Sequence, residues 1–406
     1  MLIGIDWGRK VHKVVLLKDS GELSEIWEIN NDYDGYLDLL RHLHTTEEVV
    51  FTIEKRTHRL IDFLIAHGYA GYYVEPNAMK GYRSRYKSTP VKSDELDAFI
   101  LADLLRTERH KLSAINLDTP LVRELKELII DREHYVRDEV RLVNRLKGCL
   151  VEYYPEALEF FDSPAGKAAL AFWEAYPTLD DVRPLTIEDI KEFLTAHKWY
   201  RDQDNVAERI VKIVKGKTIK VLEDVVRVKS RLLIGIVKQL KVVKELIAEY
   251  DAEIKRLMES SDNAGQYTSL PGAGLVLGTA IYTLFASGTR FNSLMDVRAY
   301  VGTAPVTSQS GQFKGIGFRY GCNRFYRNVF HQFAFCSLRR SQWAKEYYRR
   351  KRLEGKKHHH ALRCLADLWV KITYAMWHNQ ELYNEQKHLA SIARFWLQND
   401  SHKGLT

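Results

Sequence analysis

A long heptad repeat in the middle of the chain constrains the fold more than any other feature of the sequence. Between residues 219 and 257 a 4,3 spacing defines twelve positions, and eleven of them hold apolar side chains, with Lys229 the exception. Such a stripe predicts a long helix that packs as a coiled coil, either within the chain or between chains. A similar spacing runs over residues 121–153, where eight of ten positions can be buried. The two stripes predict a coiled-coil domain at residues 113–262, with a small helical insertion at about 156–218.

The segments on either side of this domain have different patterns. Residues 1–112 hold short apolar runs at hairpin distance, followed by alternating strand and helix patterns, which predict a mixed sheet flanked by helices. Residues 263–390 have mainly helical patterns, and the stretch VTSQSGQFKG (306–315) is predicted to be a loop rich in Gly, Ser and Thr. The expected fold class is therefore α/β plus all-α, in three domains.

Positive charge is concentrated in the C-terminal third of the chain. The net charge is +8, but the segment from Ser310 to Arg363 alone carries 14 Lys and Arg against 2 Asp and Glu. A field of this sign predicts a polyanionic partner, and cations interleaved with aromatic side chains suit phosphate neutralisation and base stacking. The candidate nucleic-acid-binding residues are Lys314, Arg319, Asn323, Arg324, Arg327, Arg339, Arg340, Arg349, Arg350, Lys351, Arg352, Lys356 and Lys357.

Cysteine spacing and hydropathy argue against several classes of protein. The four cysteines stand singly, without a C-x-x-C pair, which disfavours a structural zinc site. The consecutive His358–His360 face different directions on a helix and make a poor metal site. No apolar run has the length of a signal peptide or a membrane span, so we expect an intracellular protein without a membrane partner.

Four acidic residues form the strongest candidate catalytic and metal-binding set. Asp6 and Glu54 each close an otherwise apolar predicted strand, a position that is costly unless the acid is paired or metal-bound. Asp94 and Asp97 follow the predicted N-cap Ser93 and share one helix face. Clustered carboxylates suit Mg²⁺ or Mn²⁺, and two such ions can stabilise a phosphodiester displacement. Taken alone, the helical pair is more often a solvated, charged first turn.

Two known kinds of protein resemble the N-terminal segment. The order of the acids, one on the first strand, one on the fourth and then a helical pair, resembles the RNase H-like nucleases, and the RuvC-type Holliday-junction resolvases in particular. The stretch GIDWGRKVHK is also similar to the first phosphate loop of actin-like sugar kinases. Those kinases need two further glycine-rich loops, which are not found in convincing places here, and their fold does not account for the C-terminal charge.

The segment from Arg290 to Phe335 resembles the C-terminal transposase domain of the insertion-sequence-110 family. The matching features are Arg290-Phe291, Ala299-Tyr300-x-Gly302, Pro305, Ser310-Gly311, Gly321-x-Asn323-Arg324 and Arg327. The likeness runs in order from about residue 2 to 385. It departs from the family pattern at Ser93, where threonine is frequent, and at Cys322.

This resemblance implies a specific activity. It implies a RuvC-like DEDD domain, a coiled coil and a transposase domain whose nucleophile is Ser310, in a recombinase that cuts and rejoins donor and target DNA through a covalent phosphoserine. It also implies a non-coding bridge RNA as guide and a homotetramer, a dimer of dimers, in which the acids of one protomer serve the serine of another. The expected location is the prokaryotic cytoplasm, at the nucleoid. Thr307 and Ser308 compete for the nucleophile's role, and only the resemblance ranks Ser310 first.

Two other functions and one local alternative stay open. The chain is also consistent with a RuvC-like structure-specific nuclease that forms no covalent intermediate, and with a catalytically inert scaffold for RNA and DNA. The turn SLPGAG (269–274) resembles a helix–hairpin–helix phosphate-binding turn, but it is equally consistent with an ordinary tight turn.

Overall fold

The computed structural model of the chain describes most of its residues in two compact units. The described residues are 1–43, 48–55, 58–86, 93–115, 118–216, 218, 221–261, 264–286, 291–310 and 313–390. One unit comprises residues 1–119 and 285–327, and the other comprises residues 120–284 and 328–406. The three-domain boundaries given above stay a prediction.

The described residues among 1–119 form a mixed sheet and the α-helices that flank it. The strands are β1 (Leu2–Asp6), β2 (Val11–Leu17), β3 (Leu23–Asn30), β4 (Val50–Ile53), β5 (Ala70–Tyr73) and β6 (Ser113–Ala114). The helices are α1 (Tyr33–Leu43), α2 (Arg59–Ala66), α3 (Pro76–Tyr86) and α4 (Asp94–Glu108). The strand order is β3-β2-β1-β4-β5-β6, with β1, β4 and β5 parallel and the other neighbours antiparallel. The predicted mixed sheet is confirmed.

The sheet is covered on both faces because its central strands are apolar on both faces. On one face, Ile3, Ile5 and Phe51 are buried in a core that includes Leu60 of α2. On the other face, Leu2 and Val50 are buried with residues of α4. Helix α4 contacts β1 and β2 along its length, so it fixes everything that its first turn carries over the end of the sheet.

The second unit begins with a long helical hairpin. Its two arms are α5 (Pro120–Tyr153) and α10 (Glu223–Glu259), which pack against each other within the chain. Between them lie α6 (Lys167–Ala175), α7 (Leu179–Val182), α8 (Ile187–Ala196) and α9 (Gln203–Val214), in the span where a helical insertion is predicted. A buried aromatic cluster that includes Tyr154, Phe160 and Trp173 joins this insertion to the hairpin. Helix α10 begins at Glu223 rather than at the expected 219, and Ile219 lies outside the described residues.

From residue 264 onward, the part of the chain that the structure describes consists of helices and a β-hairpin. It contains α11 (Ala264–Thr268), α12 (Gly274–Phe285), α13 (Leu294–Tyr300), β7 (Val306–Ser310), β8 (Phe313–Gly317), α14 (Arg324–Ser337), α15 (Gln342–Leu353) and α16 (His358–Asn379). The prediction of a loop over residues 306–315 is wrong, because β7 and β8 pair as an antiparallel hairpin. The β-branched and aromatic Val306, Thr307, Phe313 and Ile316 favour strands despite the intervening Gly and Ser residues.

Candidate active site

The two strand acids lie side by side at one end of the sheet. The parallel register pairs Ile5 with Ile53, so the next residues, Asp6 and Glu54, follow at neighbouring strand ends. Side chains alternate along a strand, and Leu2 belongs to the core on the α4 face. Asp6 is four residues further along and therefore projects toward the same face, as does Glu54 four residues after Val50.

Helix α4 brings Asp97 to this end of the sheet. The Ser93 side chain accepts a hydrogen bond from the Leu96 N–H at 3.3 Å, which confirms the predicted N-cap. The residue after Asp97, Ala98, lies directly over Gly4 of β1, since a Cβ added to Gly4 would meet the Ala98 carbonyl oxygen at 1.8 Å. Only a glycine in the strand permits this approach of helix and sheet. The Asp97 side chain has no exposed surface.

A guanidinium stands among the predicted acids. Arg83 of α3 binds both oxygens of Asp97, with Nε–Oδ1 at 2.5 Å and Nη2–Oδ2 at 2.6 Å, and its Nη2 is 3.8 Å from Glu54 Oε1. The hydrogen bond to Asp97 raises the pKa of Arg83, and the charges of Asp97, Glu54 and Asp6 act in the same direction. We call Asp6, Glu54 and Asp97 the acid cluster. The structure therefore brings three of the four predicted acids to one cation.

The fourth predicted acid, Asp94, is more exposed. Its side chain lies on the first turn of α4, one turn before Ala98 and on the same helix face. Its side chain is exposed to solvent, and its membership of the metal-binding set stays a prediction. The helical pair is divided, with one carboxylate buried and the other in contact with water.

Lys13 completes the charge arrangement at this end of the sheet. The antiparallel register places Lys13 of β2 directly opposite Asp6. Its Nζ lies 3.1 Å from Glu28 and 3.0 Å from Glu95 in the first turn of α4, and the hydrogen bond to Glu95 raises the pKa of Lys13. This ion pair ties the start of α4 to the sheet beside the acids.

The donor chemistry of the acid cluster fits a hard divalent cation. All of its donor atoms are carboxylate oxygens, which Mg²⁺ and Mn²⁺ prefer. Their present arrangement is that of a guanidinium site, because both Asp97 oxygens bond Arg83. Among the described residues, no three or more His, Cys, Asp and Glu side chains are grouped so as to hold a metal ion. That Asp6, Glu54, Asp94 and Asp97 hold such an ion stays a prediction.

The turn after Asp6 is held by a buried histidine. His12 has no exposed surface, and its Nδ1 accepts a hydrogen bond from the Gly8 N–H at 3.2 Å. Burial lowers the pKa of His12 to about 4, so the ring is neutral at pH 7. Next to Asp6 in sequence, Trp7 has the Lys55 ammonium 3.4 Å from the centre of its ring. Trp7 and Lys55 directly follow Asp6 and Glu54, so these contacts fix the chain at the acid cluster.

The structure describes only the backbone of the predicted nucleophile, Ser310. Ser310 ends β7 and pairs with Phe313 of β8, and residues 311–312 between them lie outside the described residues. The side chains of Ser308 and Ser310 also lie outside the description, and Thr307 is exposed. The choice of Ser310 over its neighbours stays a prediction.

Exposed cations of the C-terminal block lie mainly on α15 and around α14. Side chains at seven of the thirteen predicted nucleic-acid-binding positions are exposed: Arg324, Arg339, Arg340, Arg349, Arg350, Arg352 and Lys357. Lys351 and Lys356 both form ion pairs with Glu354 at 2.8 and 3.0 Å. The Lys314 side chain lies outside the description.

Three further predicted nucleic-acid-binding residues make contacts within the protein. The Asn323 side chain accepts from the Tyr326 N–H at 3.2 Å and donates to the Tyr300 hydroxyl at 2.9 Å, which holds the first turn of α14. Arg319 donates to the Ala304 carbonyl at 3.2 Å, and the Arg327 guanidinium lies 5.3 Å from the centre of the Phe318 ring. These contacts show a structural role for each of them, and a role in nucleic-acid binding stays a prediction.

Close packing against a neighbouring helix explains the glycine at position 272 of the SLPGAG turn. Gly272 has a φ of +91°, and a Cβ there would lie 2.7 Å from the carbonyl carbon and oxygen of Cys336 at the end of α14. The turn therefore fits closely against α14. This contact accounts for the glycine, and the predicted phosphate-binding role of the turn is not tested by it.

Sequence reasoning missed Arg83, Lys13 and Gly4. A glycine inside an apolar strand is a signal of close backbone approach, so Gly4 could have been found from the pattern LIGID. Arg83 carries no such signal, because it meets Asp97 only through the packing of α3 on α4. Among the described helices, none has the length and apolar content that a membrane crossing requires.

Comparison with known proteins gives matches at both ends of the chain. Residues 3–155 match a family model of the DEDD IS110 type described as "Transposase", and residues 266–349 match one described as "Transposase IS116/IS110/IS902 family". A protein of insertion element IS116 from Streptomyces clavuligerus is 28% identical over 385 residues, which covers 94% of this chain and 95% of its own. The mini-circle putative transposase for IS117 from Streptomyces coelicolor is 26% identical over 399 residues, 96% of each chain. An IS900 protein from Mycobacterium paratuberculosis is 26% identical over 393 residues, 94% of this chain and 96% of its own.

Proposed function

Since the chain belongs to the IS110 family of DNA transposases, we propose that it cuts and rejoins donor and target DNA through a covalent bond between Ser310 and a DNA phosphate. Asp6, Glu54, Asp94 and Asp97 form the metal-dependent half of this active site. A non-coding bridge RNA selects the two DNA partners by base pairing.

The observation that carries the proposal is the convergence of the acid cluster. Asp6 and Glu54 come from neighbouring strand ends, and Asp97 is brought over them by a helix that is seated on Gly4. A buried carboxylate beside two others is costly to the fold, and in this structure Arg83 offsets part of that cost. Such an arrangement is expected where a protein must bind cations for chemistry.

The acids and the serine have complementary tasks. Divalent ions, when bound, supply positive charge that stabilises the attacking and leaving oxygens of a phosphoryl transfer. The carboxylates hold that charge in place, with Asp97 fixed by the packing of α4 and Asp94 exposed to solvent on the first turn of the same helix. A serine hydroxyl is a weak nucleophile until a neighbouring group removes its proton. Acids supplied by a second protomer could meet this need in a composite site.

The strand-transfer step exchanges one phosphodiester bond for another of similar energy. A bond forms between Ser310 Oγ and phosphorus, and the bond between phosphorus and one sugar oxygen of the DNA breaks. The hydroxyl proton leaves the serine, and the sugar oxygen takes up a proton as it departs. One phosphodiester replaces another, so the reverse attack by a different DNA end rejoins the strands without an external energy source.

The partners follow from the charge of the chain and from the family resemblance. Exposed arginines of the C-terminal block, such as Arg339, Arg340 and Arg349, are suited to DNA and RNA phosphates. A homotetramer, assembled as a dimer of dimers, would let the acids of one protomer serve Ser310 of another. The relatives come from bacteria, and the proposed site of action is the cytoplasm, at the nucleoid.

The test uses the purified protein with the RNA transcribed beside its gene, Mg²⁺ and labelled donor DNA. Wild-type protein should yield a protein–DNA adduct that survives denaturing electrophoresis and disappears on protease treatment. Ser310→Ala should bind the same DNA, because the cations are unchanged, and should form no adduct. Ser308→Ala is the matched control and should form it normally.

Three outcomes contradict parts of the proposal. An adduct that persists in Ser310→Ala and vanishes in Ser308→Ala assigns the nucleophile to Ser308. Strand cleavage without any adduct in the wild type favours the plain nuclease. Specific DNA and RNA binding with neither cleavage nor adduct favours the inert scaffold.

A further inference from the structure

The role of Arg83 extends the proposed function, because it bears on how the acid cluster receives its divalent ions. We propose that Arg83 is the resident counter-ion of the acid cluster, and that its guanidinium must leave Asp97 before that carboxylate can bind a metal ion. Helix α3, which carries Arg83, then acts as a lid over the acid cluster.

The geometry gives Arg83 the position that a bound cation would take. Its Nε and Nη2 bond the two oxygens of Asp97 at 2.5 and 2.6 Å, and Nη2 is 3.8 Å from Glu54. The charge of Asp6 acts on the same guanidinium. Acids from β1, β4 and α4 therefore share one positive group.

Burial makes a counter-ion necessary at Asp97. The side chain has no exposed surface, whereas Arg83 keeps about a fifth of its side chain accessible to solvent. An ionised carboxylate that is withdrawn from water needs an opposite charge with good hydrogen-bond geometry. The planar fork of arginine matches both carboxylate oxygens at once, which a lysine cannot do.

A guanidinium and a divalent cation compete for the same carboxylate. Arg83 bonds both oxygens of Asp97, and a metal ion bound directly to those oxygens would stand beside the positive guanidinium. The repulsion between the two cations is strong at a site withdrawn from water. Closed and metal-binding states of the acid cluster are therefore alternatives, and the population of the closed state lowers the apparent metal affinity.

Helix α3 is joined to α4 by a small apolar core and by polar bonds. Met79 is fully buried in a core with Ile100, Leu101 and Leu104 of α4, and Tyr82 packs against the same core. The Tyr86 ring also meets the Phe99 ring edge to face, with 6.0 Å between the ring centroids. The polar bonds are those of Tyr82 and Arg85 to Glu108 and of Tyr86 to Asp103. Water can replace these polar bonds more easily than it can replace the apolar packing.

The sequence of α3 is also a poor helix former. It contains a glycine and a serine in its interior, Gly81 and Ser84, within eleven residues. A short helix of this composition depends on tertiary contacts for its stability. Loss of the Arg83–Asp97 contact to a competing cation would therefore weaken the whole helix.

The decisive measurement is Mn²⁺ binding by the full chain without nucleic acid, followed by the electron paramagnetic resonance signal of free Mn²⁺. Arg83→Met removes the competing charge and keeps an apolar stem of similar length. We expect it to bind Mn²⁺ roughly tenfold more tightly than the wild type, a typical size for coupling between two binding events. Arg85→Met is the matched control, since Arg85 is on the same helix and bonds Glu108 at 2.8 Å rather than the acid cluster. It should leave the Mn²⁺ affinity within about twofold.

A second variant protects the test against misfolding. Arg83→Lys keeps a positive charge beside Asp97 but cannot bond both oxygens in one plane, and it should increase the affinity by a smaller factor. An unchanged or weaker Mn²⁺ affinity in both variants overturns the competition. A gain that persists when Asp97→Asn is added also overturns it, because the ion would then bind elsewhere. If neither the wild type nor any variant binds Mn²⁺, the proposed metal site is overturned as well. If the wild type and Arg83→Met bind Mn²⁺ equally, only the proposed role of Arg83 is overturned.

Discussion

Gly4 of β1 and Ala98 of α4 meet backbone to backbone, so closely that a single added carbon on Gly4 would stand 1.8 Å from the Ala98 carbonyl oxygen. The same carbon would lie 2.5 Å from the Ala102 nitrogen, one turn further along the helix. Neither of these groups can rotate away, because both are main-chain atoms inside a helix. The packing of α4 on β1, and with it the position of Asp97, therefore requires that residue 4 has no Cβ atom.

Gly4→Ala should displace α4 and destabilise the N-terminal unit. Overpacking commonly costs about 1–3 kcal/mol, and a clash with main-chain atoms should reach or exceed the upper end of that range. Urea unfolding measures the change. Gly148→Ala in α5 is the control, because an added Cβ there meets no atom within 4 Å, and it should stabilise by up to about 1 kcal/mol. Equal stability of Gly4→Ala and wild type would show that α4 is not seated as described.

Asp97→Asn should abolish strand cleavage while the protein stays folded. The change removes a metal-binding charge and leaves Arg83 without its two-point partner, so the free energy of unfolding should decrease by up to about 3 kcal/mol. Asp103→Asn is matched to it, since Asp103 is also on α4 and also bonds a side chain of α3, Tyr86, outside the acid cluster. Cleavage assays measure the loss of activity, and circular dichroism measures the change in stability. Full cleavage by a folded Asp97→Asn protein contradicts the metal assignment.

Arg349→Gln should weaken nucleic-acid binding in a salt-dependent way. The side chain is exposed on α15, and each phosphate contact contributes about 0.9 to the slope of log affinity against log salt for duplex DNA. The slope, measured by fluorescence anisotropy between low and physiological salt, should decrease by about that amount. Lys351→Gln serves as control, since Lys351 already pairs with Glu354, and its effect should be smaller. Identical slopes for wild type and Arg349→Gln would remove this residue from the interface.

Ile247→Asn should shift the assembly toward smaller species. Ile247 is only half-buried against the rest of its own chain, although it belongs to the apolar stripe of α10, so a second protomer could cover the remainder. Light scattering measures the mass. Ala248→Asn introduces the same amide one residue on, at an exposed position, and should leave the mass unchanged. An unchanged mass of Ile247→Asn with normal helicity would contradict a contact between α10 and a second protomer.

The stability of the protein should fall in acid partly because of His12. Its folded pKa of about 4 lies below the ordinary value of 6.5, so the unfolded chain binds the proton more tightly. This contribution is complete above pH 6.5 and is lost progressively as the pH falls toward 4, by up to about 3 kcal/mol. His12→Asn, which retains an acceptor for the Gly8 N–H, should show a shallower decrease of melting temperature over that interval. Parallel curves for the two proteins would contradict the shift.

Local signals in the sequence predicted much of the fold. Ser93 was identifiable as an N-cap because its hydroxyl is followed by acids and then by an apolar pattern, and the structure has it in that role. The helices over 121–153 and over most of 219–257 follow from the period of their apolar residues. Asp6 and Glu54 were each expected at the end of an apolar strand, and the parallel pairing of β1 with β4 makes them neighbours. All of these inferences depend on residues close in sequence or on simple strand order.

The remaining features depend on contacts that no local pattern encodes. Arg83 and Asp97 are fourteen residues apart on different helices, and their pairing follows from the way α3 packs on α4. The hairpin at 306–317 was missed because its Gly, Ser and Gln residues have the composition of a loop, while strand pairing supplies the stabilisation that composition does not reveal. Asn323 has the charge-free, polar character of a base-reading residue, yet its described bonds hold Tyr300 and the start of α14.

The helical hairpin sets a fixed length scale for this protein. At 1.5 Å per residue, the 37 residues of α10 extend for about 55 Å, and the 34 residues of α5 for about 51 Å. Duplex DNA rises about 3.4 Å per base pair, so the hairpin is as long as roughly 16 base pairs. Insertions or deletions of whole helical turns in both arms would change the length of the hairpin in steps of about 5.4 Å.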